Sequence, residues 1–196
     1  FILTSGLLSQ AIFNQIQSIK SSIVCLGSPR HNSEGMVLNK VQCCLVVPEA
    51  MVNECLTLFK FSLTYAKQHQ EQSFIWRLHP LLSFEKLKKN NSIFKKLPNN
   101  IYLSEDSLDE DIKKSDSVLY RGSTAVVNAI NAGLKPIYYQ QSTDELSIDP
   151  IYQQQKGKDI VFNQKDLRLA FNKKIDTEVK KSLQNFAQDF YTPLDV

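Results

Sequence analysis

The loop Arg121-Gly122-Ser123-Thr124 brings together a cation, a glycine and two hydroxyl groups. Glycine allows the backbone to turn closely, and a serine or threonine before a helix accepts hydrogen bonds from that helix's first N–H groups. The remaining N–H groups, the hydroxyls and the cation together suit a phosphate. The same residues are equally typical of a plain capped turn between a strand and a helix, so the loop alone leaves both interpretations open.

A second candidate group is formed by Arg77, His79 and Pro80, which end the segment SFIWRLHP over residues 73–80. Proline has no backbone donor and a fixed φ, so we expect the strand to stop there and to leave the imidazole at the rim of the sheet. An isolated His-Pro pair is more typical of a solvated turn. Because RGST follows one strand-and-helix unit later, the pair of motifs favours a shared ligand site, for which we expect His79 and Ser123 at the carboxyl ends of neighbouring strands.

The elements that position these motifs alternate between strand and helix. Residues 117–120 predict a short strand, residues 124–132 a helix that stops at Gly133, and residues 135–139 the next strand. Further strands are predicted over 41–47, 73–78, 100–103 and 159–162, and further helices over 50–68, 83–89, 108–114 and 177–190. This alternation predicts an α/β fold with right-handed crossovers and a parallel sheet, whose ligands bind outside the carboxyl ends of the strands.

The order strand, His79-Pro80, helix, strand, Ser123-Thr124, helix resembles the carboxyl-terminal, donor-binding domain of GT-B glycosyltransferases. The resemblance is nearest to bacterial sialyl-, polysialyl- and Kdo transferases, which use CMP-activated acidic sugars and hold the donor with a His-Pro and a Ser-Ser/Thr motif. It covers roughly residues 41–194. It implies a Rossmann-like parallel sheet flanked by helices, as one half of a GT-B architecture, and a metal-independent, inverting transfer to a bacterial surface glycan.

The resemblance also implies roles for individual residues. His79 is expected to stabilise the phosphate leaving group, which preorganised donors can do without a metal or other cofactor. The loop with Ser104 and Glu105 is expected to meet the nucleoside, although both residues equally suit the entry of the following helix. The expected donor-binding set is therefore Arg77, His79, Pro80, Ser104, Glu105, Arg121, Gly122, Ser123 and Thr124.

The general base expected by the resemblance is an acidic residue in a D/E-D/E-G motif of the amino-terminal domain. No such motif is in a convincing place here, because Glu105-Asp106 is followed by Ser107. We therefore expect the base outside this chain. Glu49 heads a predicted helix, where a carboxylate suits the helix dipole without any further function.

Composition limits the domain count and the partners. A length of 196 residues with 42% hydrophobic residues is enough for one domain. The chain begins with Phe1, and we expect a fragment: residues 1–40 as a terminal helix (1–19), strand (22–26) and linker (30–40) of a preceding domain, and 41–196 as the donor domain. A net charge of +3 from 23 basic and 20 acidic residues is too small for a typical nucleic-acid binder.

The cysteines and the apolar runs of the sequence predict the cellular compartment of the protein. Four cysteines without metal-ligand spacing favour a reduced, cytoplasmic protein, and no apolar run has membrane-spanning length. The resemblance adds the inner face of the bacterial membrane as the site of action. The basic segment over residues 86–96 is typical of a solvated helix face. Its charge is also compatible with peripheral association with anionic lipid.

Three functions compete on this sequence. The first is the donor half of a CMP-sugar transferase. The second is a UDP- or GDP-sugar transferase or a GT-B-like epimerase. Two features argue against it: the His-Pro pair and the absence of a Gly-Gly phosphate loop. The third is a non-catalytic α/β interaction module, in which RGST and RLHP are only turns and no nucleotide binds.

Overall fold

The computed structural model describes residues 1–31 and 42–195 of the chain. A small amino-terminal unit comes first: strand β1 (Ile2–Thr4), helix α1 (Leu7–Asn14) and strand β2 (Ile23–Cys25). The two strands pair in parallel as a sheet of their own, with Leu3 opposite Val24. The predicted single helix over residues 1–19 is therefore wrong, because pairing with β2 keeps the apolar residues before Gly6 in an extended strand.

The main sheet has six parallel strands in the described chain. They are β3 (Cys43–Val47), β4 (Ser73–Trp76), β5 (Ile101–Leu103), β6 (Ser117–Tyr120), β7 (Lys135–Tyr139) and β8 (Asp159–Val161), and they lie in the order β5-β4-β3-β6-β7-β8. Every residue of β3 is buried, as expected for a central strand that is covered on both faces. The predicted parallel sheet is confirmed, and the chain order reverses between β3 and β6.

Six helices of the described chain follow the strands. They are α2 (Val52–Gln68), α3 (Phe84–Asn90), α4 (Leu108–Lys113), α5 (Ala125–Asn131), α6 (Gln164–Asn172) and α7 (Thr177–Phe190). Alternate residues of β3 point to opposite faces of the sheet, so each face has its own core. Helices α2, α3 and α6 cover one face, and α4, α5 and α7 cover the other.

The predicted elements from residue 42 onward are confirmed to within a few residues, except that α6 was not predicted. Gly133 ends the helix as expected: its φ of +92° lies in the left-handed region that favours glycine. The start of the predicted strand at Val41 and most of the predicted linker, residues 32–40, lie outside the described residues.

The carboxyl terminus returns to the amino-terminal unit. Ser28 N–H donates to the carbonyl of Thr192 at 2.9 Å, and Asp195 N–H donates to that of Leu26 at 2.9 Å. Gly27 has a φ of +86°, and an added Cβ there would lie 1.9 Å from the carbonyl oxygen of Pro193. Only glycine therefore fits where the two segments cross.

All four cysteines are free thiols, and three of them are buried in the core. Burial raises the pKa of Cys43 to about 11 and that of Cys55 to about 12. No helix within residues 1–31 and 42–195 is both long enough and apolar enough to cross a lipid bilayer.

Candidate donor-binding site

A cleft of about 390 Å³ lies outside the carboxyl ends of β3, β4 and β6. Open α/β sheets bind ligands at this position, where the strand order reverses. Its walls come from several loops and from the first turns of α4 and α5. The lining residues are Arg30, Val47, Pro48, Arg77, Leu78, His79, Pro80, Leu108, Ser123, Thr124, Ala125 and Asn128.

The cleft brings the two sequence motifs together. His79 stands after β4, and Ser123 and Thr124 stand after β6, on the same edge of one parallel sheet. The sequence also predicted that these strands are neighbours. They are not, because β3 lies between them, and the cleft spans its end.

His79 is held by a tight turn. The N–H of Leu82 donates to the carbonyl of His79 at 2.8 Å, with Pro80 in the second position that proline favours. The N–H of Leu81 donates to Nδ1 of His79 at 3.3 Å. A neutral imidazole that accepts at Nδ1 carries its proton on Nε2, which leaves Nε2–H as the donor for a ligand.

Arg77 lines the cleft, but its charge is already compensated. Its Nη1 contacts the Asp111 carboxylate at 2.7 Å and the Asp106 carbonyl at 2.7 Å. The Ser104 hydroxyl donates to the same Asp111 carboxylate at 2.5 Å, and that side chain is only 1% exposed. Both Arg77 and Ser104, which the sequence assigned to the donor, thus fasten α4 to the ends of β4 and β5.

A smaller cleft of about 180 Å³ adjoins the first around His79 and Pro80. Ser104 and Glu105 line it together with Asp106, Leu82 and Phe84. The loop after β5 therefore lies next to the His-Pro turn.

Arg121 lies elsewhere than the sequence suggested. Its side chain is 2% exposed, and its guanidinium contacts Glu54 at 2.8 Å and Glu145 at 2.6 Å. Burial would lower the pKa of Arg121, but the hydrogen bonds and charges of Glu145 and Glu54 raise it overall. Its charge is satisfied away from the cleft lining, so this geometry does not support Arg121 as a phosphate ligand.

Gly122 has a carboxylate partner. Its N–H donates to Oε1 of Glu49, while Oε2 of Glu49 is buried and has no hydrogen-bond partner among the described residues. Burial raises the pKa of Glu49 above its ordinary value. This contact joins the loop after β3 to the loop after β6, and it occupies one N–H group that the sequence offered to a phosphate.

The two hydroxyls of the loop differ in their contacts. The N–H of Ala125 donates to Ser123 Oγ at 3.4 Å, which is a weak version of the predicted cap. Thr124 is the N-cap residue of α5, but its side chain makes no capping hydrogen bond. Its hydroxyl instead accepts from Nη1 of Arg30 at 3.3 Å, inside the cleft.

Two polar residues of the lining, Asn128 and Arg30, were not among the residues that the sequence assigned to the donor. Asn128 is four residues after Thr124, and this helical spacing could have indicated that both share the face toward the cleft. Arg30 arrives from the amino-terminal unit, and no local pattern connects it to the motifs. In the described part of the chain, no cluster of three or more His, Cys, Asp or Glu residues is arranged to hold a metal.

Comparison with solved structures identifies the architecture. The glycosyltransferase SnogD from Streptomyces nogalater has a TM-score of 0.60 at 10% identity, over 96% of this chain and 52% of its own. MnaA of S. aureus, solved with UDP, has a TM-score of 0.56 at 13% identity, over 95% of this chain and 54% of its own. The fold is that of one Rossmann-like half of a GT-B glycosyltransferase.

The rhamnosyltransferase SpnG in complex with thymidine diphosphate is a further GT-B relative in fold. Its TM-score is 0.55 at 11% identity, over 90% of this chain and 50% of its own. The chain thus spans about half the length of these GT-B proteins. No protein-family model matches the sequence, and no curated protein matches it.

Proposed function

We propose that the chain is the donor-binding domain of a GT-B glycosyltransferase, and that the cleft holds the phosphate of a nucleotide sugar. The observation that carries this proposal is the convergence of His79, Ser123 and Thr124 on one cleft at the reversal of strand order. The cleft contains no aspartate or glutamate among its described lining residues, so no lining carboxylate repels an anion.

The chemistry assigned to these groups is stabilisation of the leaving group. When the bond from the sugar's anomeric carbon to the phosphate oxygen breaks, the electron pair and negative charge pass to the phosphate. Nε2–H of His79 and the two hydroxyls donate hydrogen bonds to that charge, and donors fixed in advance need little reorganisation. The oxygen of the acceptor hydroxyl forms the new bond to the anomeric carbon, and its proton goes to a base, which we place outside this chain.

The nucleoside belongs, in this proposal, to the adjoining smaller cleft. Its lining by Ser104 and Glu105 places the backbone after β5 beside the His-Pro turn. The Ser104 side chain is engaged by Asp111 and its N–H by the Trp76 carbonyl, so in this proposal the backbone of Glu105 meets the nucleobase.

Two donor classes follow from different observations. The RLHP and RGST motifs favour a CMP-activated acidic sugar, of the Kdo or sialic acid type, with a bacterial surface glycan as acceptor. The structures solved with UDP and thymidine diphosphate favour a pyrimidine diphosphate sugar instead. Two alternatives are an epimerase-type enzyme that binds the same nucleotide and an interaction module that binds none. The titration below distinguishes the interaction module from the nucleotide-binding proteins.

The amino-terminal unit supports a domain proposal. We propose that residues 1–31 continue a second domain that carries the acceptor site and the base. A two-stranded parallel sheet is not stable by itself, and parallel sheets are normally covered on both faces. Here Phe1 is 92% exposed and Leu3 60%, and α1 has no buried residue. We accordingly expect this chain to bind donor without transferring sugar.

The test is a calorimetric titration with CMP, UDP, TDP and GDP, repeated on His79→Ala. We expect a pyrimidine nucleotide to bind, and His79→Ala to weaken binding by about 1.5–3 kcal/mol, the range for hydrogen bonds to charged groups. His69→Ala is the matched control, because His69 lies at the end of α2, outside the cleft. Unchanged affinity in His79→Ala would remove His79 from the site, and no binding of any nucleotide would favour the interaction module.

A further inference from the structure

Arg30 reaches the cleft from a turn that the local sequence stabilises. The N–H of His31 donates to the Ser28 carbonyl at 3.1 Å, and the N–H of Arg30 donates to Ser28 Oγ at 3.1 Å. Serine in the first position and Pro29 in the second are favoured residues for such a turn. His31 Nδ1 donates to the Tyr191 carbonyl at 2.7 Å, which fixes the turn against the carboxyl-terminal segment.

The guanidinium of Arg30 is held only by neutral groups in the described structure. Its Nη1 donates to Thr124 Oγ1 at 3.3 Å and to the Tyr191 hydroxyl at 3.3 Å. Within residues 1–31 and 42–195 it makes no ion pair with a carboxylate. The nearby arginines differ, since Arg77 is paired with Asp111 and Arg121 with Glu54 and Glu145.

Among the arginines that line the cleft, Arg30 is the one without a carboxylate partner in the described residues. The cleft lining contains two guanidinium groups, of which that of Arg77 is compensated and that of Arg30 is not, and no lining carboxylate in the described residues. An arginine fork matches phosphate oxygens in two parallel hydrogen bonds. Because Arg30 is exposed, its guanidinium can exchange the Thr124 hydroxyl for a ligand without breaking the core.

We propose that Arg30 is a ligand-binding residue that contacts the phosphate of the nucleotide bound in this cleft. This proposal rests on the proposed function, because that function identifies the ligand as a nucleotide. It adds a binding group that comes from the amino-terminal unit, so the phosphate site is shared between that unit and the main sheet. The chemistry is common to a nucleoside monophosphate and a diphosphate.

The test separates contact with phosphate from a merely structural tether. Arg30→Ala and Arg30→Lys are titrated with CMP, UDP, inorganic pyrophosphate and the phosphate-free nucleosides cytidine and uridine. We expect Arg30→Ala to weaken nucleotide and pyrophosphate binding about ten- to hundredfold, with nucleoside affinity unchanged. Arg30→Lys should lose less, because it keeps the charge without the fork. A larger loss for UDP than for CMP would indicate that Arg30 meets the second phosphate.

Controls make each outcome decisive. Arg168→Ala removes an exposed arginine of α6 outside the cleft and should change no affinity. Tyr191→Phe removes the hydroxyl that orients Arg30 and should have a smaller effect than Arg30→Ala. Equal losses for nucleosides and nucleotides, or no loss, would overturn the role of Arg30 while nucleotide binding stands. If the unmutated chain binds neither nucleotide nor pyrophosphate, the proposed function and this inference both fail.

Discussion

Glu49 illustrates how a single side chain sets the geometry of the cleft. One oxygen of its carboxylate accepts from Gly122, and the other is buried without a partner in the described structure. A buried carboxylate without full hydrogen bonding is costly when ionised, which is why the pKa of Glu49 is raised. Through this hydrogen bond Glu49 acts as a brace that connects the loop after β3 to the loop after β6.

This brace has a pH signature. A carboxyl group with a higher pKa in the folded than in the unfolded chain binds more protons when folded, so its contribution to stability grows as pH falls toward the unfolded pKa of 4.5. We expect the free energy of unfolding of the unmutated chain, relative to Glu49→Gln, to rise between about pH 7.5 and about pH 5. Urea unfolding of both proteins at each pH measures it. A relative gain as pH rises would mean that the fold lowers the pKa of Glu49.

At the scale of elements, Arg121 connects β6 to α2 and to the loop after β7. Its partners Glu54 and Glu145 have side chains that are 28% and 24% exposed, while Arg121 itself is 2% exposed. Its guanidinium also lies over the Tyr139 ring, 5.6 Å from the centroid. These contacts identify Arg121 as a residue that holds elements together beside the cleft.

Arg121→Ala should therefore affect stability and not binding. We expect a loss of about 3 kcal/mol, the lower end for removing one partner of a buried ion pair, because both carboxylates are partly solvated. Arg121→Lys should lose less, since it keeps the charge. Urea unfolding gives the stability, and nucleotide titration should show a change below about threefold in affinity. Weakened binding at unaltered stability would return Arg121 to the phosphate site that its sequence position suggested.

Local signals explain which elements and site residues could be predicted. The segment from β6 to β7 was predictable because its strands are short apolar runs and Gly133 stops the helix between them. His79 and Ser123 could be placed on one edge because both follow strands of a parallel sheet. The pairing of β1 with β2 could not be predicted, because the residues of β1 pair with residues about twenty positions later in the chain.

Long-range contacts explain what the sequence concealed. Arg121 pairs with Glu54, 67 residues earlier, and Arg30 contacts Tyr191, 161 residues later. Nothing in the immediate neighbourhood of either arginine indicates these partners. One arginine was therefore assigned to the phosphate although its charge is compensated, and the other was overlooked although its charge is not.

At the scale of the whole molecule, the two units differ in how well they are covered. The six-stranded sheet has a core on each face, whereas the first 26 residues expose Phe1, Leu3, Leu7, Ile12, Phe13, Ile16, Val24 and Leu26. Leu3 and Val24 are cross-strand neighbours, so their exposed side chains form one apolar patch. The domain proposal expects exposed apolar surface here, because such surface would pack against the rest of the second domain.

Polar substitution of this patch tests the domain proposal. We expect Leu3→Ser with Val24→Ser to reduce the fluorescence of a bound hydrophobic dye, with little change in Tm because both side chains are exposed. Leu146→Ser is the control, since Leu146 is 84% exposed outside this unit. A large fall in Tm without a change in dye binding would mean that the patch is internal packing and not an interface.

The central claim concerns the position of one phosphate group, and a crystal structure of the chain with CMP or UDP measures it directly. We predict the phosphate within hydrogen-bond distance of His79 Nε2 and of the Ser123 or Thr124 hydroxyl, outside the carboxyl ends of β4 and β6. A phosphate bound at the opposite edge instead, in the cleft lined by Lys135, Lys174 and Lys180, would contradict the account.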